Sequence, residues 1–224
     1  MFKTETHLHT KPVSACGYLS PKEMIDLYHE AGYTTVFVSD HFAKYHFDKL
    51  GENLSWQEKT NMLYNAYLEA KACGEEYGMN VLFSPELSFH GNHYLLYGAN
   101  KEFLNLREDI FDMPMEEFRR HAKEHGITVI QAHPYRDEVC FPTPEFIDGI
   151  EAVNTNPRHD NFDEKCFELA KKYNFPISAG SDAHRCEDVA GAAVLSESPI
   201  TSTEQYITLL KGGKLKLMRK GEIL

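Results

Sequence analysis

Short apolar segments alternate with amphipathic helical segments along almost the whole chain, and this alternation restricts its fold more than any other feature. Residues 34–38 and 127–130 are continuous β-branched or apolar runs, which is typical of strands buried on both faces. Ser20-Pro21-Lys22-Glu23 predicts a helix start with a capping box, and Gly32 predicts the end of that helix. Strands that alternate with helices predict βαβ units and therefore an α/β fold.

The same patterns predict the remaining elements along the 224 residues. Apolar runs predict strands at residues 3–7, 34–38, 80–84, 93–97, 127–130, 149–153, 176–179, 192–195 and 214–218. Helical periodicity predicts further helices over Trp56–Tyr77 and over residues 115–126, 162–174 and 203–212. No linker, repeat or low-complexity stretch interrupts this pattern, so the sequence predicts one domain over residues 1–224.

Charge and cysteine usage exclude several classes of protein. The net charge of −11 argues against a nucleic-acid binder, because affinity for phosphate backbones comes from lysine and arginine. No apolar run approaches the ~20 residues of a membrane-spanning helix, and the first residues lack the apolar core of a signal peptide. Five cysteines without a CxxC pair favour a reducing compartment. We therefore expect a cytoplasmic protein that binds neither nucleic acid nor membrane.

Most of the predicted strands end in a histidine, a carboxylate or an asparagine. His7 and His9 are two residues apart on an extended segment, so both imidazoles face the same side. The other residues of this kind are Asp40, His41, Glu86, His93, His133, Asn154, Asp182 and His184. In α/β barrels the carboxyl ends of the strands converge on one mouth, where active sites are built. Imidazole and carboxylate ligands suit zinc, iron or manganese, so the pattern predicts a site for two or three divalent ions.

Each of these motifs also has a simpler interpretation. Gly180-Ser181-Asp182-Ala183-His184 is compatible with a turn followed by a helix cap, and one His-x-His pair is a weak signal. Turns do not need histidine, so the coincidence at successive strand ends favours metal binding. The remaining histidines are predicted to lie on helices or in polar loops, outside the site: His29, His46, His121, His125 and His159. His90 is near enough to Glu86 in the sequence to join the site, although a loop position is favoured.

In their order and spacing, these residues resemble the PHP (polymerase and histidinol phosphatase) family over nearly the whole chain. The motifs are His7-Leu8-His9-Thr10, Ser39-Asp40-His41, Pro85-Glu86, His93, Ala132-His133-Pro134, Glu151-Ala152-Val153-Asn154 and Gly180-Ser181-Asp182-Ala183-His184. The resemblance implies a distorted (β/α)7 barrel, with a trinuclear metal site at the carboxyl ends of the strands. It also implies hydrolysis of phosphate esters.

The resemblance further implies three metal positions, two of which share Glu86 as a bridging ligand. Their ligands are His7, His9, Glu86 and Asp182 for the first, Glu86, His93 and His133 for the second, and His41 and His184 for the third.

The chain departs from the family pattern at Cys16. The family usually has Ser-Asp-Gly after His-x-His, and its aspartate binds the third metal. When a two-residue insertion is allowed before the helix start, Cys16-Gly17 falls on Asp-Gly. A thiolate binds zinc and ferrous iron well but manganese poorly. Cys16 is therefore either a ligand of the third metal or a thiol without a ligand role.

The leading hypothesis is a metal-dependent phosphoesterase that hydrolyses a small phosphomonoester through a metal-bound hydroxide, in the manner of a histidinol phosphatase or a nucleotide phosphatase. Asp40 is expected to orient His41. His184 or Arg158 is expected to assist the phosphate or the leaving group, since arginine binds phosphate bidentately. A solvated loop charge is the alternative interpretation of Arg158.

Two other functions stay open at this point. An oligonucleotide phosphodiesterase or exonuclease is disfavoured, because no cluster of basic residues with interleaved aromatics tracks a strand of phosphates. A non-catalytic metal-binding interaction domain is disfavoured by the near-complete ligand set. The expected partner is a small phosphorylated substrate, and the sequence specifies no oligomeric state.

Overall fold

The computed structural model describes residues 1–11, 13–14 and 16–224, and two kinds of element make up most of it. The strands of this part of the chain are β1 (Phe2–Leu8), β2 (Thr35–Val38), β3 (His41–Phe42), β4 (Asn80–Phe83), β5 (Glu86–Phe89), β6 (Asn92–Tyr97), β7 (Thr128–Ala132), β8 (Gly149–Asn154), β9 (Ile177–Gly180), β10 (Ala192–Ser196), β11 (Lys216–Arg219) and β12 (Glu222–Ile223). The α-helices are α1 (Pro21–Glu30), α2 (Lys44–Leu50), α3 (Trp56–Tyr77), α4 (Lys101–Asn105), α5 (Met115–Glu124), α6 (Asp163–Tyr173) and α7 (Thr203–Lys211).

The strands pair in two six-stranded sheets, both of mixed direction. The first sheet has the order β12-β11-β10-β1-β2-β4, in which β1, β2 and β4 are parallel and β10 to β12 are antiparallel additions. The second has the order β3-β5-β6-β7-β8-β9, in which β6 is antiparallel to both of its neighbours.

Backbone hydrogen bonds at the carboxyl ends of the strands connect the two sheets. The N–H of His9 donates to the carbonyl of Ala183 at 2.9 Å, and the N–H of Asp182 donates to the carbonyl of His7 at 2.8 Å. The N–H of Glu86 donates to the carbonyl of Asp40 at 3.2 Å, where the chain passes from the first sheet into the second. These contacts bring the polar ends of β1, β9 and the start of β5 to one place.

The predicted α/β class is confirmed, whereas a closed (β/α)7 barrel is not. The ladders of the described residues form two open sheets. The βαβ units predicted from the sequence require parallel pairing, and this is wrong for β6, β10 and β11, which pair antiparallel with their neighbours. His90 and Gly91 have φ values of 48° and 75°, which is the geometry of a two-residue hairpin turn of type I′. That turn reverses the chain between β5 and β6 and makes the pair antiparallel.

Most predicted elements lie within one or two residues of the observed ones. The long helix spans Trp56–Tyr77 as predicted, with a capping box formed by Ser55 and Glu58 at its start. Five of the named strands and α-helices are not among the predictions: β3, β5, β12, α2 and α4. Of these, β3, β5 and α2 lie close to the polar strand ends. No helix of the described residues is both long and apolar enough to cross a membrane.

Apolar side chains from both sheets pack together in a buried cluster. Phe37 of β2 contacts Tyr97 of β6 edge to face, with ring centroids 5.1 Å apart, and lies 4.9 Å from Tyr206 of α7. All three rings are fully buried. Because these contacts cross from one sheet to the other, they fix the relative position of the strand ends that carry the polar residues.

Replacing Ser55 by alanine should lower the free energy of unfolding by about 1 kcal/mol. The Ser55 hydroxyl accepts the N–H of Glu58, so alanine leaves that N–H without its cap. Chemical denaturation measures the change. Ser55→Thr keeps the capping oxygen and should stay close to the parent, and equal stability of the alanine variant would contradict the assigned cap.

Candidate metal centre

The carboxylate of Glu86 lies at the centre of a buried group of histidines. Glu86 is 1% exposed, and imidazole nitrogens surround both of its oxygens. The distances to Oε1 are 3.2 Å from His133 Nε2, 3.2 Å from His93 Nδ1 and 3.4 Å from His7 Nε2. The distances to Oε2 are 2.6 Å from His41 Nδ1 and 3.7 Å from His9 Nε2. One carboxylate therefore contacts residues implied for all three metal positions.

Asp182 forms a second anionic contact for the same histidines. Its Oδ1 lies 3.1 Å from His9 Nε2 and 3.6 Å from His7 Nε2. Its Oδ2 accepts a hydrogen bond at 2.5 Å from Arg136, a residue that the sequence analysis did not select. Asp182 and His133 have φ values of 51° and 30°, a left-handed backbone region that costs a non-glycine residue roughly 1–3 kcal/mol. The fold holds both side chains in the site at that cost.

The residues implied for the third position also come together. The donor atoms of His9, His41 and His184 lie within 4.8 Å of one another. Cys16 Sγ lies 3.1 Å from His41 Nε2. Burial raises the pKa of the Cys16 thiol, but hydrogen bonds with His184 and His41 outweigh that effect and lower the pKa to about 6. The thiol is therefore in the site rather than remote from it.

The donor set fits divalent metal ions. His7 Nε2 and His9 Nε2 face each other at 3.0 Å, so at most one of them carries a proton in that contact. The Nδ1 atoms of His9 and His133 are buried and make no hydrogen bond among the described residues, and Oε2 of Glu86 is approached by the imidazoles of His41 and His9. Buried polar atoms without a partner are costly in a dry interior. Several buried lone pairs of imidazoles and carboxylates therefore converge around Glu86 and Asp182, where divalent ions would be held.

The protonation states of the carboxylates and of His133 suit metal binding. Burial lowers the pKa of His7 and of His41, but the neighbouring carboxylates outweigh burial and raise both, so a bound ion would displace a proton from each of these imidazoles. Burial raises the pKa of Glu86, but His93, His41 and His7 outweigh it and hold that pKa well below its usual range. Burial likewise raises the pKa of Asp182, and Arg136 and His7 reverse the effect. Burial lowers the pKa of His133 to about 4. Ionised carboxylates and neutral imidazoles are the forms that bind metals.

Glu151 and Asn154 fix the orientation of the ligand candidates. Glu151 Oε1 lies 2.9 Å from His7 Nδ1, and its Oε2 accepts the N–H of His133 at 3.2 Å and the amide of Asn154 at 2.8 Å. A side chain on Gly180 would collide with Glu151 and His7, so glycine is required there. The Glu-Ala-Val-Asn motif was the sequence signal for Glu151, although no role was predicted for it.

Glu5, which the sequence analysis did not select, supports β1 next to the site. Its buried carboxylate accepts the N–H groups of Thr6, His7 and Ser181, each at 2.9 Å. The pairing of β1 with β2 is irregular between Glu5 and Leu8, so Glu5 replaces ladder partners at this point. Nothing in the sequence pattern distinguishes this glutamate from a solvated one on an edge strand.

The predicted orientation of the His41 ring by Asp40 is not what the contacts show. Asp40 accepts hydrogen bonds from the N–H of Thr10 at 2.5 Å and from the hydroxyls of Thr10 and Ser14 at 2.7 and 2.8 Å. The Ser14 hydroxyl in turn accepts the backbone N–H of His41 at 3.2 Å. Asp40 therefore acts on the loop that follows β1, and it reaches His41 only through Ser14 and the backbone.

Arg158 lies at the mouth of the site with its guanidinium already paired. It donates two hydrogen bonds to Asp188, at 2.7 and 2.6 Å, and Asp188 also accepts the N–H groups of His184 and Arg185. Arg158 thus stabilises the segment after Asp182. Its predicted contact with phosphate stays a prediction.

Most of the other histidines occupy the predicted places, and the exceptions are His159 and His46. His29 stacks on Tyr77, and His90 contacts the carbonyl of Met113. His159 lies in a loop and pairs with Asp137, but it also lines the cavity above the centre. His46 was expected in a polar loop, but it lies on α2 with 8% exposure and stacks on His41. That placement was missed because α2 itself was not predicted.

A cavity of about 410 Å³ opens above the centre. Its wall includes Glu86, Asp182, His184, Arg136, Arg158 and Arg185. This volume suits a small molecule, and the mixture of carboxylates, imidazoles and guanidinium groups suits a metal-assisted reaction on an anion.

The fold that carries this site is similar to that of a solved structure described as containing a PHP-like phosphoesterase. Residues 163–215 match the PHP_C family model, which is described as PHP-associated. No curated protein sequence is significantly similar to this chain. The resemblance to the PHP family is confirmed by this segment and by the solved structures that share the fold.

Three solved structures illustrate the likeness. A two-domain protein from Bacteroides vulgatus, described as containing a predicted PHP-like metal-dependent phosphoesterase, has a TM-score of 0.72 at 14% identity over 99% of this chain. A protein from Bifidobacterium adolescentis described as a metal-dependent phosphoesterase has a TM-score of 0.57 at 15% identity over 92% of this chain and 95% of its own. A lesion-specific endonuclease from Pyrococcus furiosus has a TM-score of 0.59 at 14% identity over 97% of this chain. The chain spans 66% of the Bacteroides protein and 57% of the Pyrococcus protein.

The protein should bind more than one divalent transition-metal ion per chain. The imidazoles and carboxylates around Glu86 and Asp182 outnumber the ligands that one four-coordinate ion uses. Elemental analysis after purification without chelator measures the stoichiometry. At most one equivalent, even after supplementation with zinc, iron or manganese, would contradict a multinuclear centre.

Replacing Glu151 by glutamine should weaken metal binding by about 10- to 100-fold. The neutral amide of glutamine accepts the Nδ1–H of His7 less strongly than a carboxylate does, so the His7 imidazole becomes a weaker metal ligand. Competition with a chelating dye measures the affinity, and thermal unfolding verifies the fold. Exposed Glu145→Gln provides the matched control, and parent-like affinity of Glu151→Gln would show that the contact is unimportant.

Proposed function

We propose that this protein is a metal-dependent phosphoesterase that hydrolyses a small phosphomonoester. The observation that carries the proposal is the sharing of histidines between Glu86 and Asp182. His7 Nε2 and His9 Nε2 each lie within 3.7 Å of a carboxylate oxygen of both residues. This arrangement supports neighbouring ions in one buried site, which phosphoryl transfer uses.

The ligands support two or three divalent ions of the zinc, iron or manganese type. His7, His9, Glu86 and Asp182 would hold the first, Glu86, His93 and His133 the second, and His41 and His184 a third. When bound, such ions would activate water as the nucleophile and offset negative charge on the phosphate.

Arginine side chains supply positive charge at the mouth of an otherwise acidic protein. Arg136 and Arg158 are each held by a carboxylate, whereas the Arg185 guanidinium lies 3.8 Å from Glu187 and over the ring of Tyr18, at 4.4 Å. Arg185 is thus the least constrained of the three, and it is suited to contact a phosphate oxygen. The exposed face of Tyr18 is suited to contact the leaving group.

His184 is suited to donate a proton to the leaving-group oxygen when it is not a ligand. Its Nδ1–H donates to the carbonyl of Asp182 at 2.8 Å, so Nε2 is the ring atom left for the cavity. Burial lowers the pKa of His184, but Cys16 and Asp182 outweigh burial and raise it above the usual value. This direction favours the protonated imidazole, which is the form that a general acid needs.

A small phosphomonoester is favoured over a nucleic-acid strand by the limited cavity volume and by the net charge of −11. The Pyrococcus endonuclease shares the fold, so a phosphodiester substrate is the second candidate. The five free cysteines support a cytoplasmic location.

The metal-loaded protein should hydrolyse p-nitrophenyl phosphate, and Glu86→Gln and Asp182→Asn should each abolish turnover. A neutral amide removes the charge that offsets the cations and leaves the imidazoles without their shared anion. Absorbance of released p-nitrophenol measures the rate, with exposed Asp109→Asn as the matched control.

Two outcomes would contradict this proposal. Activity of either site variant within about tenfold of the parent, a barrier change of only ~1.4 kcal/mol, would refute the role of that carboxylate. Hydrolysis of bis(p-nitrophenyl) phosphate but not of the monoester would favour the diesterase.

A further inference from the structure

At one edge of the site, Cys16 and His46 present a sulfur atom and an imidazole nitrogen as ligand atoms. Cys16 Sγ lies 3.1 Å from His41 Nε2, and the His46 ring stacks on His41 with centroids 4.5 Å apart. The ligand atoms of Cys16, His41 and His46 all lie within 4.8 Å of one another. The centre of the site is instead built around the oxygens of Glu86 and Asp182.

These distances suit one tetrahedral ion. With bond lengths of about 2.3 Å to sulfur and about 2.0 Å to nitrogen, two ligands of a tetrahedral zinc ion lie roughly 3.5 Å apart. The observed separation of sulfur and nitrogen is within a few tenths of an ångström of that value. The stacked rings of His41 and His46 would have to rotate about their side-chain torsions to direct their lone pairs at that ion.

The burial of His46 supports a role beyond filling space. Its neighbour on α2, Phe47, is buried among aromatic rings, and it contacts Phe42, Trp56 and Phe111. His46 is 8% exposed but is directed towards His41 and the thiol. The imidazole of His46 brings a ligand nitrogen within 4.8 Å of the Cys16 sulfur and of a His41 nitrogen.

We propose that Cys16, His41 and His46 form a thiolate–imidazole site that prefers zinc or ferrous iron over manganese or magnesium. The inference deepens the proposed function, because it names the class of metal that one edge of that site takes. Sulfur and imidazole are soft or borderline ligands, and manganese and magnesium prefer oxygen. This ion would be the third one of the proposed function, and its fourth position is left for His184, which is hydrogen-bonded to Cys16.

Cobalt substitution tests the thiolate directly. Co²⁺ is added to the metal-free protein, and the near-ultraviolet absorption is followed, because cobalt bound by a thiolate has a sulfur-to-metal charge-transfer band. The band is expected in the parent and in Cys186→Ala, a matched control that removes another exposed thiol. It should be absent in Cys16→Ser. Absence of the band in the parent, or its persistence in Cys16→Ser, would overturn the proposal.

His46→Phe tests the added imidazole, since phenylalanine keeps a ring against His41 without a nitrogen. The affinity of this variant for cobalt at the thiolate is expected to be lower by about tenfold or more. An affinity equal to that of the parent would show that His46 is not a ligand.

Alkylation of Cys16 by iodoacetamide, followed by peptide mass mapping, tests metal preference. Bound zinc should slow the alkylation of the Cys16 thiol about tenfold or more, whereas manganese should not slow it. Equal slowing by both metals, or by neither, would overturn the proposed preference for zinc. None of these measurements uses phosphatase activity, so failure of this site and failure of the proposed function are distinguishable.

Discussion

The burial of the Glu86 carboxylate among imidazoles is the constraint on which the rest of the site depends. Water does not solvate this charge, so its stability depends on positive charge supplied by the protein or by bound ions. The surrounding histidines come from β1, β6 and the ends of β3 and β7, and each meets the carboxylate only if those elements keep their relative positions. The packing of Phe37 against Tyr97 and Tyr206 across the two sheets therefore affects the metal centre as well as stability.

Around this centre, other buried carboxylates hold the backbone rather than ions. Glu5 accepts three backbone N–H groups where the β1 ladder is irregular, Asp40 holds the loop after β1, and Glu151 accepts the N–H of His133. The left-handed conformations of His133 and Asp182 persist because these bonds restrict the alternatives. The strands thus end in segments whose shape is set by charge-assisted hydrogen bonds, which are stronger than neutral ones.

The sequence predicted those parts of the fold and site that local periodicity and short spacing encode. Helix α3 and the pairing of His7 with His9 on one face depend only on neighbouring residues, and both are as predicted. The β5–β6 hairpin was missed because the residue before Gly91 is His90 rather than the asparagine, aspartate or glycine that marks a two-residue hairpin turn. Arg136 and His46 reach the site through a loop and a short helix, so only the tertiary fold brings them there.

Charge balance relates the number of bound ions to the affinity for phosphate. Glu86, Asp182 and Glu151 bring three negative charges, an ionised Cys16 brings a fourth, and Arg136 cancels one of them. Two divalent ions would leave the site with one positive charge, fewer than the two negative charges of a phosphate dianion. A third ion would leave three positive charges, enough to neutralise the dianion. An oxygen-rich centre and a sulfur-containing edge would then have distinct roles, with the centre setting the position of the nucleophile and the edge adding positive charge for the phosphate.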